Sequence, residues 1–99
     1  MAFTQLIIIG GADEQALKDH VTAWDDAQAG VAPGYLGARV FADQDRPGRY
    51  LIEVDFRSEE DARRNSDRPE TQAWAEQLRN LGTGDPEFGN LRQVGSTYA

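Results

Sequence analysis

The order of elements legible in these 99 residues predicts an α+β fold. Strand, helix, strand, strand, helix, strand is the ferredoxin-like βαββαβ order, which gives an antiparallel four-stranded sheet with both helices on one face. Three observations carry this expectation. "FTQLIII" is a short β-branched run closed by Gly10-Gly11. "YLGARVFADQ" and "RYLIEVDF" are two further strand-like runs joined by the turn "DRPG". The spans "DEQALKDHVTAWDDAQA" and "PETQAWAEQL" carry apolar residues at helical spacing.

The first strand, Phe3 to Ile9, sends Leu6 and Ile8 to one face and Ile7 and Ile9 to the other. A strand apolar on both sides needs cover on both sides. Asp13 is placed to cap the first helix, in which Leu17, His20, Val21, Trp24 and Ala27 form the apolar stripe and Lys18, Asp19 and Asp26 the opposite side. Gly30 reads as its stop and Pro33-Gly34 as a turn. The second strand runs from Tyr35 to Gln44 and the third from Arg49 to Phe56. In the third, Tyr50, Ile52, Val54 and Phe56 share a face, opposite Arg49, Glu53 and Asp55.

"FRSEEDARRNSDRPETQAW" reads as a helix in two pieces. Ser58 with Asp61 is one capping box and Asp67 with Glu70 a second. Pro69 fits the first turn of the second piece and pushes Arg68 out of the helical region, so the chain breaks there. Ala73, Trp74, Leu78 and Leu81 then make a stripe ended by Gly82. Phe88 to Tyr98 is the expected last strand.

One domain over residues 1–99 accounts for the whole chain. It has little core to spare, since a chain of this size buries only about 60–65% of its unfolded surface. With helices on one face, the other face of the sheet is bare and apolar, and a second copy packed sheet to sheet would cover it, burying roughly 1,500 Å². A homodimer is therefore expected. The absence of cysteine excludes a disulfide framework and a thiolate centre and fits a cytoplasmic setting. The net charge of −7 opposes a nucleic-acid partner. The one arginine cluster, Arg63, Arg64 and Arg68, interleaves with Glu59, Glu60 and Asp61, giving i,i+4 pairs Glu59–Arg63 and Glu60–Arg64 on a solvated helix face. No membrane partner is expected, because the apolar start is too short to span a bilayer and lacks a basic flank.

"PGYLG" entering the second strand, "D-x-P-G-R-Y" at the hairpin, "F-x-S-x-E-D-A" opening the second helix and "PE-x-x-x-W" resuming it resemble the antibiotic biosynthesis monooxygenase-like family of dimeric α+β barrels. The likeness in motifs covers Pro33 to Leu81; the first strand and helix match in topology. It implies a homodimer with a cavity between each sheet and its helices. It also implies an activity among cofactor-independent oxygenases of polyketide phenols, quinol oxygenases, haem degraders and relatives of no known activity. The haem degraders use an Asn on the first strand and a His near the second helix; this chain has neither, so haem degradation is disfavoured. The anthrone-type oxygenases use an Asn and a Trp on the third strand, where this chain has Ile52 and Phe56.

The candidate site follows from what remains. His20 is the only histidine and the residue best suited to proton transfer at neutral pH, although a lone histidine on an apolar stripe is usually structural. Trp24 and Trp74 read first as core, and second as walls of an aromatic-binding cavity between the helices. Tyr50 would add to the wall, Arg39 would hold an anion, and Asn65 reads as a helix-stop residue beside them. No cofactor and no metal site is implied, since no His, Asp or Glu cluster has ligand spacing. The expected function is that of a cofactor-independent monooxygenase or related tailoring enzyme acting on a small aromatic, polyketide-like or quinol molecule. Two alternatives stand beside it. One is a dimer that binds a small apolar ligand without catalysis. The other is a dimerisation module with a filled core.

Overall fold

The computed structural model describes residues 2–98. The chain runs β1 (Phe3–Gly10), α1 (Glu14–Gln28), β2 (Tyr35–Ala42), β3 (Arg49–Phe56), α2 (Glu59–Ser66), α3 (Pro69–Leu81), β4 (Glu87–Arg92). The strands form one antiparallel sheet in the order β2-β3-β1-β4. This is the α+β ferredoxin-like arrangement that the element order predicts, with its second helix in two pieces.

Register follows from side-chain alternation. Ile7 faces Ile52 across the central pair and Phe3 faces Phe56, so the residues of β1 and β3 that must be dry fall on the same side. Ile7, Ile9, Ile52 and Phe56 are almost wholly buried there beneath Leu17 of α1 and Leu78 of α3. The opposite face carries Leu6, Ile8, Leu51, Phe41 and Leu91, with Phe41 44% and Leu91 46% exposed. It is laced by polar ties: Thr4 donates to Asp55 at 2.6 Å and Arg39 pairs with Glu53 at 2.7 Å.

Several local expectations need correction. The buried stripe of α1 is Leu17, Val21, Trp24 and Gln28; Ala27 is exposed, because the helical repeat carries the stripe from Trp24 four residues on to Gln28. Ala73 is likewise exposed, and the α3 stripe is Trp74, Leu78 and Leu81. Ser58 caps α2 as expected, its hydroxyl accepting from the Asp61 amide. Asp67 does not cap α3. It closes α2, and the pre-proline residue Arg68 sits extended at the N-cap without a capping side chain. Glu70 takes over: its carboxylate accepts from its own backbone N–H and pairs with Arg68, and both hold it below the usual carboxylate range. Arg63 pairs with Glu59 as the spacing predicts, but Arg64 turns to Asp61, not Glu60. β2 stops at Ala42 because Asp43 turns the chain, accepting from the Asp45 amide and from Arg49. β4 ends at Arg92, six residues short of the expected Tyr98, since the tail finds no neighbouring strand to pair with.

Gly82 ends α3, but not by adopting a left-handed conformation: its φ is −111°. A Cβ there would stand 2.7 Å from the carbonyl oxygen of Gly10 and 2.6 Å from Ile9. The helix can therefore meet the end of β1 only through a residue without a side chain. Gly82→Ala is expected to cost about 1–3 kcal/mol through backbone displacement. Gly95→Ala, where nothing lies within 4 Å, should stay within about 0.5 kcal/mol of the parent. Urea unfolding of the two variants checks this, and equal stabilities would refute the close-contact account.

Candidate functional site

α1 and α3 cross on the covered face of the sheet, and the crossing is fastened by two side chains. His20 Nε2 lies 3.0 Å from the Trp74 carbonyl oxygen. A carbonyl only accepts, so Nε2 donates. In return Trp74 Nε1 donates to the His20 carbonyl at 3.2 Å. The two rings stack, 4.8 Å between centroids and 5° from parallel. Trp24 meets the same indole from within, at 5.6 Å and 51°.

Beneath this crossing is a cavity. Trp24 and Trp74 form its roof, Ile52, Val54 and Ala38 its floor, and Gln5, Asn65 and Thr71 its polar points. Its volume is about 20 Å³, room for about one water molecule. Asn65, 3% exposed, is the most buried of its polar residues. Its Oδ1 accepts from Thr71 Oγ1 at 3.0 Å and from Arg68 at 3.2 Å, while its backbone carbonyl accepts from the Asp67 and Arg68 amides. Asn65 thus stitches the break between α2 and α3. With Oδ1 occupied, the side-chain NH₂ is the donor it has left for a group in the cavity.

The structure brings Trp24, Asn65 and Trp74 together at this cavity and places the other expected residues elsewhere. His20 does not line it; its ring belongs to the helix crossing, so a base reaching into the cavity is not what the geometry provides. Arg39 is on the opposite face of the sheet, paired with Glu53 and set 5.6 Å over the Phe41 ring, because strand alternation turns it away from Ala38 and Val40. Tyr50 is on the covered face but opens into a separate groove beside α1. Partial burial and the nearby charge of Glu14 raise its phenol pKa. Gln5 and Thr71 were missed by sequence reasoning. Gln5 had a signal: it is the one polar residue in the covered register Phe3, Gln5, Ile7, Ile9. Thr71 had none, because its role depends on how the chain folds back after Pro69. Among the described residues, no cluster of three or more His, Cys, Asp or Glu has the geometry of a metal site. No helix there is long and apolar enough to cross a membrane.

No family model matches the chain, nor does any curated protein sequence. Solved structures do. A mutant of SnoaB, a cofactor-independent oxygenase from Streptomyces nogalater, superposes with a TM-score of 0.77 at 20% identity, covering 97% of this chain and 96% of that one. A candidate antibiotic biosynthesis monooxygenase from Deinococcus radiodurans gives 0.73 at 16% identity, over 100% and 98%. A dimeric ferredoxin-like protein of unknown function from Jannaschia gives 0.72 at 16%, over 94% and 100%. The chain has the antibiotic biosynthesis monooxygenase-like fold. At these identities the likeness is one of fold.

The fold's helix crossing is the feature most open to test. His20→Ala removes one hydrogen bond and the ring stack, and is expected to destabilise the protein by about 1–3 kcal/mol. It should also move the emission of Trp74. Urea unfolding followed by fluorescence reads both, and a variant indistinguishable from the parent would show that the crossing is held by apolar packing alone.

Proposed function

We propose that the protein is a cofactor-independent oxygenase, or a related tailoring enzyme, of the antibiotic biosynthesis monooxygenase-like family, acting on a small aromatic phenol or quinol. The observation that carries this reading is the convergence of Asn65, Thr71 and Gln5 on a cavity roofed by two indoles. Aromatic walls favour a flat apolar molecule, and a few convergent polar groups fix its orientation. Once the cavity widens beyond its present single-water volume, an electron-rich phenolate bound against the indoles passes an electron to dioxygen, and recombination of the radical pair forms the carbon–oxygen bond. For an anthrone, one oxygen atom becomes the new quinone carbonyl and the other leaves as water with the two methylene hydrogens. The protein's part is to bind the ring, exclude bulk water and stabilise the anion through the Asn65 NH₂. His20 contributes by positioning Trp74; acting as the base would require its ring to leave the helix crossing.

A second reading has one observation in its favour. A cavity of about 20 Å³ is nearly filled, as a non-catalytic dimerisation module would have it. Both readings share a homodimer built on the bare face, where Phe41 and Leu91 are exposed beside Leu6, Ile8 and Leu51.

Oxygen uptake with a panel of anthrones and hydroquinones separates the two. The oxygenase reading expects uptake above the spontaneous rate, reduced about a hundredfold in kcat/KM by Asn65→Ala. Uptake no faster than the spontaneous rate for every substrate would sink it. For the dimer, Phe41→Asp with Leu51→Glu should yield a folded monomer in sedimentation velocity at concentrations where the parent sediments as a dimer. A parent that sediments as a monomer would refute the shared premise.

A further inference from the structure

β4 stops at Arg92, but strand composition continues from Gln93 to Tyr98. Val94, Thr97 and Tyr98 are β-formers, and in an extended chain Val94, Ser96 and Tyr98 point to one side. The chain itself makes little use of this segment. Gln93 donates to the Ala2 carbonyl at 3.3 Å, and beyond it the segment makes no backbone hydrogen bond to any strand among the described residues. Val94 is 81% exposed and Tyr98 91%, the highest values among the exposed large hydrophobic side chains. Two exposed anchors on one side of an unpaired, strand-like segment suit it to a surface outside its own chain.

The segment runs beside a groove of about 330 Å³ on the bare face of the sheet. Thr4, Arg39, Glu53 and Leu91 form its floor, one residue from each strand, and Gly95, Ser96 and Tyr98 stand at its rim. The bare face is divided. Ile8, Leu51 and Phe41 make one end apolar, and Thr4, Asp55, Glu53 and Arg39 make the other polar. A second copy that met this face with apolar side chains alone would bury the Arg39–Glu53 pair without a polar neighbour, which is costly. A segment carrying hydroxyls at Ser96, Thr97 and Tyr98 suits that end. Arg39 also has a use for a ring: its guanidinium lies 5.6 Å over Phe41, its side chain is 65% exposed, and a second aromatic laid on it would complete a stack. At 91% exposure, Tyr98 does not make that stack in its own chain.

We propose that the segment is exchanged between two copies of the chain: residues 93–98 of each lie in the groove of the other, with Tyr98 on the guanidinium of the partner's Arg39 and Val94 packed into the interface. Exchange of an identical element is a low-cost route to a dimer, because each copy already presents both the segment and its groove. The reach suffices. Six extended residues span about 20 Å, and packed sheets stand about 10 Å apart. Gly95, with nothing within 4 Å of where a Cβ would stand, gives the segment room to bend. The inference rests on the reading that two copies meet at the bare face, and it adds what covers the polar end of that face.

The chain has no cysteine, so an introduced pair reports where the segment lies. Thr4→Cys in the groove floor and Ser96→Cys in the segment are nearly isosteric changes. The double variant, oxidised at a concentration where the protein sediments as a dimer, is expected to give a covalent dimer. Mass mapping of a mixture of isotopically labelled and unlabelled chains should find the two substituted positions joined across copies. A disulfide joining them within one chain would overturn the exchange, and so would the absence of any linkage between them. Independently, Val94→Ser with Tyr98→Ser should raise the dimer dissociation constant about tenfold in sedimentation velocity, since aromatic anchors carry much of an interface's energy. Its circular dichroism should match the parent's, because neither side chain is buried within its own chain. A parent-like constant would overturn the inference. A parent that sediments as a dimer while the segment fails these tests leaves the bare-face dimer standing without exchange. A parent that is a monomer at every concentration overturns both.

Discussion

The crossing of α1 over the sheet beside α3 is where the rest of the structure is decided. It is held by a reciprocal pair: His20 Nε2 donates to Trp74, and Trp74 Nε1 donates back to His20. Each of these neutral hydrogen bonds is worth about 1 kcal/mol net, and the ring stack adds about as much. That is enough to set the distance between the helices and too little to weld them. A roof of this strength closes the cavity to about one water molecule's volume. The ring for which the sequence offered a structural role first and a base second is, in the fold, part of the helix crossing.

For the crossing to form, α3 must arrive at one angle, and three residues fix it. Pro69 forces Arg68 to be extended and so separates α3 from α2. Asn65, buried at the break, ties the two ends by accepting from Thr71 and Arg68 through its side chain and from the following amides through its carbonyl. Gly82 lets the far end of α3 touch the Gly10 carbonyl, where Thr83 also donates at 2.8 Å. Constraint at both ends leaves the middle, Trp74 to Leu78, held against the sheet. The residue that closes the break and the residue that offers an NH₂ to the cavity are the same one, so the site is built by the joint rather than added to it.

The sheet was legible because its information is local. Alternation along Phe3–Gly10 and Arg49–Phe56 sorts the two faces, and the pairing of Ile7 with Ile52 follows. The helix break was legible because proline and the Ser58 cap act within a few residues. What was not legible depends on distance in space. Asp67 and Glu70 have capping-box spacing, yet the chain leaves α2 through Asp67 and the box never assembles. Phe88 to Tyr98 has strand composition, but a strand needs a neighbour, and none of the described strands reaches residues past Arg92. His20, Arg39 and Tyr50 are plausible chemistry in a list, and only packing sends them to the helix crossing, the opposite face and a groove. Trp24 and Trp74 meet because residues at core spacing on two helices over one sheet must converge.

The edge strand poses the remaining physical question. β1 and β3 fill the covered face with isoleucine, valine and phenylalanine, and β2, under the same helix, offers Ala38, Val40 and Ala42. A chain of this size has little core to spare, and larger apolar side chains at those positions would add roughly 0.8 kcal/mol for each methylene buried. The shortfall is not made up from above, since α1 turns Lys18 and Thr22 toward this space instead of leucine. Two facing elements are thus both reduced in bulk or apolarity along one line, which leaves the groove beside α1 open where the β1–β3 side of the same face is closed.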